Sequence, residues 1–68
     1  MFKEGDKVRF TDATDDQVNW GNNDDPRLLL DTETIYIVEK VEVHRFHTKL
    51  YLVGINGKFN DVSFELVE

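Results

Sequence analysis

Val8 and Phe10 occupy one side of an alternating segment, and Lys7 and Arg9 the other, directly after a Gly5-Asp6 pair suited to a turn. A period of two with one wet side predicts a β-strand. A longer run, Thr34-Ile35-Tyr36-Ile37-Val38-Glu39-Lys40-Val41-Glu42-Val43-His44, puts Ile35, Ile37, Val41 and Val43 on one parity and Tyr36 and Val38 on the other. Glu39 interrupts the first set, so the run predicts a strongly bent strand whose halves pack differently, through a bulge. Residues 44–47 read as a short connection. Thr48-Lys49-Leu50-Tyr51-Leu52-Val53 then predicts a third strand with Leu50 and Leu52 inward and Tyr51 and Val53 on the other side. Asn56-Gly57 between apolar residues is a hairpin signal, because both central positions of a type I′ turn need positive φ, and it makes strands three and four antiparallel neighbours. Asn60-Asp61-Val62-Ser63 predicts one helical turn, and Phe64-Glu65-Leu66-Val67 a fifth strand with Phe64 and Leu66 on one face.

No segment carries an apolar 3.6-residue period over ten residues, and Pro26 and the glycines cut up the region where a helix would begin. The expected class is all-β, with five short strands closed into a small barrel to remove exposed edges. One stretch stands apart. Residues 12–31 hold Asp12, Asp15, Asp16, Asp24, Asp25 and Asp31 against Arg27 alone, mixed with Asn19, Asn22, Asn23, Gly21, Thr11 and Thr14 nearby. These residues favour turns over helix, so the stretch predicts one long loop, and loops of that length are functional or mobile.

Composition narrows the picture further. At 68 residues the chain has material for one core, so a single domain over 1–68 is expected. Without cysteine there is neither a disulfide framework nor a thiolate zinc site. The longest apolar run, Leu28-Leu29-Leu30, is far short of a membrane span, and no apolar segment follows Met1, so a cytoplasmic location is expected. A net charge of −6 opposes contact with a phosphate backbone.

The order Gly5-Asp6-Lys7-Val8-Arg9-Phe10, Thr34-Ile35-Tyr36-Ile37-Val38-Glu39-Lys40-Val41, Leu50-Tyr51-Leu52, Phe59 and Phe64-Glu65-Leu66-Val67 resembles the small SH3-like barrel proteins of bacteriophages and prophages. The resemblance covers the chain outside residues 12–31. It implies a five-stranded SH3-like barrel in which residues 12–31 stand at the RT loop, residues 44–48 at the n-Src connection and residues 54–58 at the distal hairpin. The Ala-Leu-Tyr-Asp-Tyr and Pro-x-x-Tyr motifs of signalling SH3 domains are absent, so their shelf for polyproline ligands does not carry over. No functional residue transfers by motif, because Trp20 lies inside the RT-type loop and not after the n-Src loop.

Trp20, set among Asn19, Gly21, Asn22 and Asn23, suits two roles: a recognition aromatic, or an anchor folded back over the barrel. Asp15, Asp16, Asp24 and Asp25 around it would attract a basic partner or imitate nucleic-acid phosphates, or simply solvate the loop. An EF-hand is excluded, since Gln17 and Asn23 stand where its glycine and glutamate are needed. His44 and His47, three apart, would face each other near a carboxylate as a pH-sensitive contact, but no third ligand gives them a metal site. No phosphate loop, nucleophile elbow or cysteine nucleophile is present, so no catalytic residue and no cofactor are expected.

The resulting expectation is a non-enzymatic module presenting an acidic, Trp20-containing loop to a protein partner, with a basic surface on that partner suiting the loop. The alternatives are an acidic DNA mimic directed at a host nucleic-acid-handling protein, and a structural or assembly protein. Nucleic-acid binding would require Lys7, Arg9, Lys40, Arg45, Lys49 and Lys58 to cluster away from the acidic loop.

Overall fold

The computed structural model describes residues 2–20 and 23–68. Five antiparallel strands, β1 (Lys7–Phe10), β2 (Ile35–Val43), β3 (Thr48–Leu52), β4 (Phe59–Asn60) and β5 (Phe64–Leu66), lie in the order β4-β3-β2-β1-β5. A 3-10 turn at Asp61–Ser63 precedes the last strand, as expected from its polar tetrapeptide. No ladder joins β4 to β5 among the described residues, so the sheet is not closed into the expected barrel. Phe59 and Phe64 pack edge to face, with centroids 6.1 Å apart, and bring β4 and β5 together through side chains rather than backbone bonds.

The bulge in β2 is present. Val38 pairs with Leu52 and Lys40 with Tyr51, so Glu39 is the extra residue. Its insertion explains the broken alternation: Tyr36 and Val38 turn inward before it, and Val41 after it. Ile35, Ile37 and Val43 stay exposed. Val8, Phe10, Val38, Leu50, Leu52, Phe59 and Phe64 form the core, joined by Ala13 from outside the sheet.

The hairpin between β3 and β4 exists but is not the tight Asn-Gly turn. The Ile55 N–H donates to the Leu52 carbonyl at 3.2 Å, with Gly54 at φ +79°, the value required at the third position of a type II turn. Asn56 and Gly57 lie further along this wider connection, and Gly57 adopts φ +140°.

Residues 12–31 are not one structureless loop. They contain α1 (Asp15–Asn19) and α2 (Pro26–Leu29). Thr14 caps α1 by accepting from the Gln17 N–H at 3.2 Å, and the Gln17 side chain accepts from the Thr14 N–H at 3.1 Å. This reciprocal capping box, with Asp15 and Asp16 in the first turn, outweighs the turn preference of the surrounding residues. Asp25 caps α2, and Pro26 starts it where its missing N–H costs nothing. Buried Ala13 and Pro26 and half-buried Val18 and Leu30 hold the segment down.

Candidate functional site

Trp20 ends α1, and its N–H donates to the Asp16 carbonyl at 3.0 Å. Its ring does not fold back over the core as an anchor; the residue is 55% exposed. It lines an open cleft of about 630 Å³ together with Asp16 and Gln17 of α1, the connection between β2 and β3, and the 3-10 turn. From the second wall come Val43 and Phe46, and from the third Val62, all exposed. Large apolar side chains left in water around one concavity are the usual mark of a binding surface.

One buried side chain holds two walls together. Asn60 caps the 3-10 turn by accepting from the Val62 N–H at 3.3 Å, while its Nδ2 donates to the Gln17 carbonyl of α1 at 3.1 Å. Buried polar groups fully engaged in this way fix geometry. On the remaining wall, the His44 N–H donates to the His47 carbonyl at 2.8 Å and closes the connection. The two imidazoles stack with centroids 4.6 Å apart and planes 14° apart. His44 Nε2 lies 2.6 Å from Glu42 Oε1, so the pair does face itself beside a carboxylate. The hydrogen bond from His44 holds the Glu42 carboxyl below its usual range. Arg45 lies over the Phe46 ring at 5.3 Å.

Charge at the cleft is mixed. Asp16 and Asp61 line it beside Arg45, and burial pushes the Asp61 carboxyl above its usual value. The other aspartates singled out with Trp20 have structural work elsewhere. Asp25 receives two hydrogen bonds from the Arg27 guanidinium, both at 2.9 Å, which hold its carboxyl below the usual range. The same guanidinium reaches Asp15 at 2.7 Å, tying α2 to α1 and raising the arginine further. Asp24 Oδ2 accepts from the Lys58 N–H at 2.9 Å, and the Asp24 N–H donates to the Lys58 carbonyl at 2.8 Å. Of the five residues expected to meet a partner, the fold brings Trp20 and Asp16 into the cleft.

Val43, Phe46 and Val62 were not singled out by the sequence, although an apolar residue in the polar His44-Arg45-Phe46-His47 connection is a legible signal. The basic residues are divided among other tasks. Arg9 pairs with Glu65 at 3.8 Å, Lys40 lies over the Tyr51 ring at 5.3 Å, and Lys49 is buried. Among the described residues, no three histidine, cysteine or acidic side chains converge as a metal site.

No curated protein and no solved structure matches this chain. The family model described as Bacteriophage T4 protein Y07B matches residues 16–68, and the chain belongs to that family.

Proposed function

We propose that this member of the Y07B family is a non-enzymatic protein-binding module of phage or prophage origin, acting in the cytoplasm on an SH3-like framework whose five-stranded sheet stays open. The family's bacteriophage name supports the setting. The strand order, the bent β2 shared by both halves of the sheet and the 3-10 turn before β5 support the framework. The observation that carries the reading is the clustering of exposed Trp20, Phe46, Val43 and Val62 around one cleft. Exposed aromatics beside a preformed concavity bury much area at little entropic cost, which suits a short protein segment. Asp16 and Asp61 add affinity for a basic residue beside that segment's apolar anchors. The pairing of Asp15 and Asp25 with Arg27 weakens the acidic array that a DNA mimic needs.

The test is affinity capture from bacterial lysate at low and high salt with wild type, Trp20→Ala and Phe46→Ala, each first shown to be folded. Binding of the recovered partner is then measured with purified proteins. Each aromatic truncation is expected to cost about 2 kcal/mol or more, roughly thirtyfold in Kd. Asp15→Asn is expected to leave affinity within about twofold, as a rim charge does. A partner bound equally well by both aromatic variants would move the binding surface away from the cleft.

A further inference from the structure

The cleft wall formed by the connection between β2 and β3 is held by two stacked imidazoles, and that arrangement depends on their charge. Parallel rings 4.6 Å apart stack readily while at least one is neutral, but two imidazolium ions at that separation repel. We propose that His44 and His47 form a pH-operated gate on the cleft: as a stack, while His47 is neutral, they hold the cleft wall in its open shape, and they let that wall shift when His47 takes a proton. This inference rests on the cleft being the binding site and concerns the regulation of that site.

The two histidines have different surroundings. Glu42, on β2, fixes His44 through its Nε2 and also lies near Lys40, 3.8 Å away, and the Tyr51 hydroxyl, 3.4 Å away. His47 is half-buried, and burial is the largest influence holding it below the ordinary histidine value. The charges of His44 and of Lys49 on β3 act in the same direction, while Asp61 on the 3-10 turn and Glu42 on β2 oppose them. Asp16 and Arg45 line the same cleft. Protonating His47 therefore places a cation against His44 under the hydrogen bond that closes the connection. Phe46 lies between the two histidines in sequence, so separating the rings displaces an exposed cleft aromatic.

The test needs no ligand and is therefore independent of whether a partner is found. The imidazole Hε1 signals of both histidines, the Phe46 amide and the Trp20 indole N–H are followed by NMR from pH 8 to pH 5, in wild type, His47→Gln and Asp61→Asn. The expected result is a His47 midpoint below the ordinary value of about 6.5. The Phe46 amide should move with the same midpoint. His47→Gln should abolish that Phe46 transition while leaving the core methyl spectrum unchanged. Asp61→Asn, which removes an attraction for the proton, should lower the His47 midpoint further. A Phe46 amide that stays still while His47 titrates, or that moves equally in His47→Gln, would overturn the gate. A His47 midpoint at or above the ordinary value would overturn it as well. Capture that fails while the coupled transition is observed would count against the binding reading and, with it, against the gate as a regulator of binding, while the coupled transition itself would stand.

Discussion

A methyl group on Gly57 would lie 3.1 Å from Asp24 Oδ2 and 3.2 Å from Phe59 Cζ, at a φ of +140° that other residues seldom adopt. Gly54, at φ +79°, has nothing within 4 Å of the same position. Gly54→Ala should therefore cost about 1 kcal/mol from backbone strain alone, and Gly57→Ala about 2–3 kcal/mol because strain and crowding combine. Denaturant midpoints of the two variants, compared at equal m-value, check the ranking. Asp61 gives a second prediction at this scale. Its folded carboxyl titrates above the unfolded one because burial disfavours the charge. Stability from this group is thus present below the unfolded carboxyl's range and lost as pH rises through the folded value. Asp61→Asn should be more stable than wild type at pH 7, with the advantage vanishing in acid, as thermal melts at the two pH values would show. Trp20 was legible as a candidate because one large aromatic in a polar run stands out. Its exposure was not, since that depends on Ala13, Pro26, Val18 and Leu30 doing the anchoring.

Among the elements, the strands were readable because burial on one face writes a period of two, seen in Val8 and Phe10 and in Leu50 and Leu52. β2 was harder. Counting parity favours Ile35, Ile37, Val41 and Val43, yet the inward set is Tyr36, Val38 and Val41, because one inserted residue shifts the phase. The two helices left no period at all, being five and four residues long. Their caps, Thr14 three residues before Gln17 and Asp25 directly before Pro26, were passed over in the sequence reading. The capping box makes a prediction for the element it starts. Thr14→Ala should cost about 1 kcal/mol, with faster amide exchange at Val18 and Trp20, whose N–H groups bond within α1. Unchanged exchange at those amides would mean that α1 is held by Asn60 and by the ion pair of Arg27 with Asp15 rather than by its cap.

At the scale of the molecule, Phe59 is fully buried against Phe64 and lies beside Gly57. Phe59→Ala should cost about 3–5 kcal/mol. A chain of this length has roughly 3–10 kcal/mol in total, so the variant should be largely unfolded or close to it at 37 °C, as circular dichroism would show. The cleft itself could not be assembled from sequence, because α1, the connection between β2 and β3 and the 3-10 turn are far apart along the chain and meet only through the sheet order. That order has a kinetic consequence. β1 lies between β2 and β5, with Val8 opposite both Tyr36 and Leu66, so completing the sheet means closing a loop nearly as long as the chain. The β2 and β3 hairpin, closed by its four-residue connection, has the cheapest closure entropy and should form first. Recruitment of β5 comes late, and refolding should occupy milliseconds to seconds despite the small size. Destabilising Leu66 should accelerate unfolding and leave the refolding rate nearly unchanged, whereas destabilising Leu50 should slow refolding.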